Sequence, residues 1–140
     1  MASEGVFADS AFLYALVDRR DAAHRAAVER LHSLRVEQRP LISTDYVMSE
    51  ALTLTKARAG SVAALRLLDR IEATALMRVD WIGPARFSAA KSFFRKHSDH
   101  GYSFTDCTSF IVMHELKIRD ALTTDRHFAE AGFRPLLPVI

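Results

Sequence analysis

Hydrophobic positions along this chain form short apolar runs that alternate with longer amphipathic segments. Short apolar runs bounded by turn residues are typical of buried strands, whereas apolar residues at three- and four-residue spacing indicate helices. The pattern predicts strands at residues 5–8, 41–43, 76–82, 121–123 and 136–140. It predicts helices at residues 10–17, 21–34, 46–58, 61–71, 84–97, 107–116 and 126–130.

The alternation of strands and helices favours the α/β class, with a short, mainly parallel sheet between layers of helices. No internal repeat or linker interrupts the pattern, so we expect one domain over residues 1–140. Ligands of such sheets bind beyond the carboxyl ends of the strands. Asp9 and Asp125 each follow a predicted strand directly and are therefore expected at that edge.

Four acidic residues lie where an apolar run meets a helical segment, namely Asp9, Glu50, Asp106 and Asp125. A partly buried carboxylate needs a hydrogen-bonding or cationic partner. The runs around the first three contain no Lys or Arg, so a divalent cation is the natural partner. Oxygen ligands without sulfur favour Mg²⁺ or Mn²⁺.

Helix capping is the alternative explanation for three of these acids. Asp9 and Asp125 precede predicted helices, as N-cap residues do, and Asp106 completes a capping-box pattern with Ser103. Asp45 has the same setting, and we assign it to capping alone. Glu50 is different, because it falls within about 60° of the centre of an apolar helical stripe. We therefore expect its carboxylate beside the core, where a cation would offset the cost of desolvation.

Composition agrees with a globular intracellular protein of 140 residues, 49% of them hydrophobic and 26% charged. No apolar stretch approaches the roughly 20 residues of a membrane-spanning helix, and the start lacks a secretory signal. The single cysteine, Cys107, suits the reducing cytoplasm. The formal charge is +2, and two divalent cations on the four acids would leave a basic surface that attracts phosphate.

Four runs of this sequence resemble the PIN-domain nucleases, and most closely the VapC-like toxins of prokaryotic toxin–antitoxin pairs. The runs are 7–10, 46–51, 103–107 and 122–128, and the resemblance extends in order from residue 5 to residue 135. It implies a PIN-like three-layer sandwich and a Mg²⁺- or Mn²⁺-dependent endoribonuclease that hydrolyses RNA phosphodiester bonds. It also implies a cognate antitoxin and a homodimer, with helices between residues 46 and 71 as the expected interface.

The resemblance also implies roles for individual residues. Asp9 and Asp106 are expected as the central metal ligands, with Asp125 at a second ion. Glu50 would bind metal or accept a proton from the attacking water. The hydroxyl residues beside the acids would orient carboxylates or waters, and they are Ser10, Thr105 and Thr124.

Basic and aromatic residues supply weaker predictions. Lys91, Arg95, Lys96 and Tyr102 are candidates for gripping RNA by phosphate contact or base stacking, although a solvated helix face explains the three cations almost as well. The six histidines show no metal-ligand spacing among themselves, and Cys107 has no base beside it in sequence. We expect the aromatic residues Trp81, Phe87, Phe93 and Phe94 in the core.

Two other functions fit parts of the pattern. A phosphoacceptor receiver domain shares the sheet and the Mg²⁺, but it would need adjacent acids after the first strand and a late lysine. This chain has only Asp9 in the first position, and no lysine follows residue 117. A non-catalytic PIN-like binding module is the other alternative, and titration with Mn²⁺ would distinguish it.

Overall fold

A five-stranded parallel sheet forms the centre of the computed structural model, which describes residues 4–140. Every neighbouring pair of strands is parallel, in the spatial order β3-β2-β1-β4-β5. The strands are β1 (Val6–Ala8), β2 (Leu41–Thr44), β3 (Met77–Asp80), β4 (Asp120–Leu122) and β5 (Arg134–Pro135). The central strands β1 and β4 are buried throughout, as expected for strands covered on both faces.

Helices cover this sheet in a three-layer α/β arrangement, which confirms the predicted fold class. Helix α1 packs against α2, α3 and α4, whereas α6 packs against α5 and α7 and also contacts α3. None of the helices within residues 4–140 is long and apolar enough to cross a membrane. The helices are α1 (Ser10–Val17), α2 (His24–Val36), α3 (Asp45–Ala59), α4 (Ser61–Ala73), α5 (Gly83–Lys96), α6 (Phe104–Glu115) and α7 (Arg126–Glu130).

The register of the two central strands positions the residues that follow them. Ala8 of β1 pairs with Leu122 of β4, and the backbone N–H of Asp9 donates to the carbonyl of Leu122 at 3.1 Å. Asp9 and Thr123 therefore leave the sheet side by side at its carboxyl edge, where ligands of such sheets bind.

The final strand was predicted in the wrong place. The observed strand is Arg134–Pro135, whereas the prediction placed it at residues 136–140. A proline has no N–H to donate to a neighbouring strand. Pro135 and Pro138 have no such N–H. Beyond Pro135 the chain makes isolated backbone hydrogen bonds, in which the N–H of Leu136 donates to the carbonyl of Ala121 and that of Ile140 to the carbonyl of Thr124.

Two local predictions, for Asp45 and for Trp81, are wrong. Thr44, rather than Asp45, caps α3, since its hydroxyl accepts from the N–H of Val47. Asp45 instead accepts a hydrogen bond from the N–H of Ile82 at 2.8 Å. The core assignment of Trp81 is also wrong, because its side chain is 74% exposed.

The phenylalanines of α5 divide between core and surface. Phe93 packs against the core, as predicted. Phe87 and Phe94 are 37% and 43% exposed, although both rings contact Phe104. The core assignment therefore holds for Phe93 and is wrong for the other two.

Candidate active site

Asp9 is a buried carboxylate whose surroundings include no ion-pair partner within residues 4–140. It occupies the N-cap position of α1, but its side chain makes no capping bond. One carboxylate oxygen accepts from the Thr123 hydroxyl at 2.8 Å. The capping alternative therefore does not account for Asp9.

Burial raises the pKa of Asp9 from its ordinary 3.8 to about 7. Hydrogen bonds from the Thr123 side chain and the Ser10 backbone oppose this rise, while the negative charges of Asp106 and Glu50 add to it. A carboxyl that is buried among other acids is held neutral unless a cation compensates. The site thus has an electrostatic preference for a bound cation.

Asp106 fulfils the capping prediction and also faces the acidic site. Its N–H donates to the Ser103 hydroxyl, and its carboxylate accepts from the Ser103 N–H, each at 3.0 Å. Burial raises the pKa of Asp106, and the charge of Asp125 contributes in the same direction. Its free lone pairs remain available because a carboxylate can accept about four hydrogen bonds or metal contacts.

Asp125 and His127 join Asp106 in a group that could hold a metal ion. Asp125 caps α7 by accepting from the N–H of His127 at 2.9 Å. The Nδ1 atom of His127 lies 3.1 Å from Asp125 and 3.7 Å from Asp106. Ligand atoms of the three side chains all lie within 4.8 Å of one another.

His127 was not predicted as a site residue, because its partners are aspartates and the six histidines have no metal-ligand spacing among themselves. Its position two residues after a capping aspartate, in the first turn of α7, was the available signal. Its ring packs edge-on against Tyr102. A Cβ at Gly101 would lie 2.9 Å from its Nε2, so the lack of a side chain at Gly101 leaves room for the ring.

Thr123 connects the two parts of the site. Its hydroxyl donates to Asp9 and accepts from the N–H of Asp125 at 3.0 Å. The prediction named its neighbour Thr124, whose carbonyl accepts from Ile140. The hydroxyl that donates to Asp9 is that of Thr123, and the role of the Thr124 hydroxyl stays a prediction. Ser10 follows Asp9 and is buried, and its predicted role in orienting a carboxylate or water stays a prediction.

Glu50 lies on the exposed side of α3, so the expectation that its carboxylate is desolvated is wrong. It lines an open groove of about 850 Å³ together with Thr105. Its negative charge nevertheless raises the pKa of Asp9, which means that the two carboxylates act in one electrostatic field. Glu50 is thus a solvent-accessible acid at the margin of the buried ones.

Two other buried aspartates have hydrogen-bonding or cationic partners, and the pKa of each is lowered rather than raised. Asp120 accepts from Arg39 at 2.9 Å and from Arg134 at 2.8 Å. Burial opposes its ionisation, but these arginines outweigh burial and lower its pKa. The hydroxyl of Tyr14 lowers the pKa of Asp18 to about 2.

Asp9 and Asp106 lack such arginines over residues 4–140, and the pKa of each is raised. Asp106, Asp125 and His127 form the group whose ligand atoms converge, and Asp9 is not part of that group. The carboxylate oxygens among these residues are the ligands that Mg²⁺ and Mn²⁺ prefer. The residues present therefore fit a divalent metal, and an acidic cluster that could bind one is in place.

The predicted RNA contacts separate into two groups. Lys91, Arg95 and Lys96 are exposed on α5, and the three remain a prediction. Tyr102 is only 8% exposed, with its ring stacked on His100 at a centroid distance of 4.8 Å. This packing contradicts the expectation that Tyr102 is open to a base.

The chain matches the PIN domain family model over residues 6–134. The protein therefore belongs to the PIN-domain family, as its sequence motifs predicted, and the receiver-domain alternative is excluded.

Among its relatives is the 23S rRNA-specific endonuclease VapC20 of Mycobacterium tuberculosis, from strains CDC 1551 / Oshkosh and ATCC 25618 / H37Rv. This chain and VapC20 are 31% identical over 134 residues, which are 95% of this chain and 98% of VapC20. The crystal structure of that protein, described as a sarcin–ricin loop cleaving toxin, superposes with a TM-score of 0.84 at 30% identity. It covers 96% of this chain and 100% of the VapC20 chain.

Proposed function

We propose that this protein is a divalent-metal-dependent endoribonuclease, with Mg²⁺ or Mn²⁺ as its cofactor, and that it is the toxin of a toxin–antitoxin pair. The observation that carries the proposal is the pair of buried aspartates, Asp9 and Asp106, that no arginine or lysine compensates within residues 4–140. The Thr123 hydroxyl connects Asp9 to the backbone of Asp125, and Asp106 shares a group of possible metal ligands with Asp125. Membership of that family and the similarity to VapC20 support the same function.

Asp9, Asp106 and Asp125 are the residues that would hold the metal. A bound divalent ion polarises phosphoryl oxygens and lowers the pKa of a bound water. The Thr123 hydroxyl keeps the Asp9 carboxylate in position, and the imidazole of His127 does the same for Asp125. Such supporting contacts are commonly worth 10–100-fold in metal affinity or activity.

Glu50 is the candidate general base. It is exposed to solvent, and a carboxylate in reach of water can accept a proton from it. Its negative charge raises the pKa of Asp9, which supports a role for Glu50 in the same reaction. Direct metal binding by Glu50 is the other role that its position allows.

The relative VapC20 is described as specific for 23S rRNA and as cleaving the sarcin–ricin loop. Because the similarity extends over nearly the whole of both chains, 23S rRNA is the first substrate to test.

The proposal also includes a cytoplasmic location, a cognate antitoxin and a homodimer. The exposed Val62 and Leu65 on α4 support a dimer interface there, since they are 67% and 60% exposed.

The proposal is tested by mapping cleavage sites in total RNA with Mg²⁺ or Mn²⁺. Replacing Asp9 or Asp106 with Asn should abolish cleavage because each variant loses a negative metal ligand. Asp69→Asn, which removes an exposed carboxylate on α4, is the matched control and should remain active. Full activity in both site variants would contradict the proposal, and the absence of Mn²⁺ binding in a titration would favour the non-catalytic module.

A further inference from the structure

Trp81 is an exposed aromatic side chain on a fixed backbone. It is the only tryptophan in the sequence, and 74% of it is exposed. Arg86 donates to the Trp81 carbonyl at 2.9 Å, and Asp45 accepts from the N–H of Ile82 at 2.8 Å. Side chains from α3 and α5 therefore hold the segment on both sides of the indole, so its exposure is part of the folded structure.

The indole borders the groove that contains the exposed acid of the proposed active site. Trp81, Tyr46 and Leu54 supply apolar surface to this groove, and Glu50 and Thr105 supply polar groups. The groove holds about 850 Å³, which is in the range of small-molecule sites. A ligand in it would contact the indole and the carboxylate at once.

The chemistry of the lining favours a base over a phosphate. The charged residues that line the groove are Asp45 and Glu50, and no lysine or arginine lines it among residues 4–140. A phosphate would be repelled by these carboxylates. A nucleobase carries no charge and offers a flat face for stacking, and its N–H groups can donate hydrogen bonds to a carboxylate.

We propose that Trp81 is a stacking platform for a nucleobase of the RNA substrate, next to the bond that is cleaved. Glu50 accepts a hydrogen bond from an N–H group at the edge of that base. This inference rests on the proposed ribonuclease function and identifies the side of the site that reads the RNA. The base would bind to α3 and the segment after β3, whereas Asp9 at the end of β1 and Asp106 on α6 would hold the metal.

A fluorescence titration can observe the stacking directly, because every tryptophan signal from this chain comes from Trp81. The Asp9→Asn protein is titrated with an RNA oligonucleotide that spans the cleavage site mapped for the wild type. Stacking of a base on the indole should quench the emission with a saturable dependence on RNA concentration. Ribose 5-phosphate is the control probe and should leave the emission unchanged, because it carries no base.

Kinetics of the otherwise wild-type protein provide the second measurement. Trp81→Ala should raise KM about 5- to 150-fold, the range of stacking contributions measured by alanine substitution. The value of kcat should change little if the stack is present in both ground and transition states. Trp81→Phe should restore most of the loss. Val36→Ala is the matched control, since Val36 is an exposed apolar residue on α2, 71% exposed, outside the groove.

Quenching by RNA together with a raised KM in Trp81→Ala supports the proposal. A wild-type protein that cleaves RNA with no quenching, and with the same KM after Trp81→Ala, would overturn it. If Trp81→Ala weakens only the binding of an antitoxin peptide, the groove belongs to a protein partner and the proposal is wrong. Failure of the proposed function gives a different result, because the wild-type protein then cleaves no RNA.

Discussion

Neutralising Asp9 should stabilise the metal-free protein while removing its activity. Burial raises the pKa of this carboxyl from 3.8 to about 7. Each pKa unit corresponds to about 1.4 kcal/mol, so an ionised Asp9 costs the folded state at most about 4 kcal/mol. In Asp9→Asn the charge is absent, and the amide oxygen can still accept from the Thr123 hydroxyl.

The pH dependence follows from the direction of that pKa change. Between about pH 4 and pH 7 the folded carboxyl keeps its proton, whereas the unfolded chain loses it. The stability that a neutral Asp9 contributes is complete below pH 3.8 and is lost as the pH rises through about 7. The advantage of Asp9→Asn should therefore be small at pH 4, grow up to about pH 7 and then remain constant.

Urea unfolding in EDTA at pH 4 and pH 8 measures this difference. We expect the free energy of unfolding of Asp9→Asn to exceed that of the wild type by about 2 kcal/mol or more at pH 8. This is less than the full value of about 4 kcal/mol because relaxation of the surrounding structure commonly reduces the cost of burying a charge. Added Mg²⁺ should stabilise the wild type by mass action and have much less effect on the variant. Asp69→Asn should show neither effect. A variant that is less stable than the wild type at pH 8 in EDTA would refute the reasoning.

Two further substitutions test the surroundings of the site. Asp120→Asn removes the buried negative charge that pairs with Arg39, whose side chain is only 17% exposed. The free energy of unfolding in urea should fall by about 2–4 kcal/mol, because the arginine loses its partner. This loss should shrink as the pH falls below 3.8, because the pKa of Asp120 is lowered in the folded state, and an unchanged unfolding midpoint at pH 7 would argue against the pair. Thr123→Val removes the hydroxyl that holds Asp9 and should lower the rate of RNA cleavage about 10- to 100-fold. Thr124→Val is its control, and equal activities of the two variants would show that the hydroxyl is dispensable.

The pattern of apolar residues was sufficient to predict most of the fold. Strand β1 is apolar along its whole length, and β4 is apolar after Asp120, because helices cover both faces of these strands. Helices α1 and α7 begin and end where the sequence predicted them. The capping box at the start of α6 was also predictable, because Ser103 and Asp106 interact within one helical turn.

Predictions failed where the partner of a group is distant in sequence. Asp45 has the sequence setting of a cap, but it accepts from Ile82, 37 residues away. The exposure of Glu50 and Trp81 depends on which helices cover α3 and β3. Hydrophobic periodicity indicates an apolar face, and it does not indicate what packs against that face.

The amino-acid sequence by itself determines the identities of the acids and their places at the ends of apolar runs. The contacts among them arise from the parallel register of β1 and β4, which brings Asp9 to the Thr123 hydroxyl across 114 residues of chain. The same folding brings His127 to Asp106. The spacing of side chains along a helix or strand is local information, whereas the neighbours of a buried carboxylate, and hence its pKa, depend on strand pairing between distant segments.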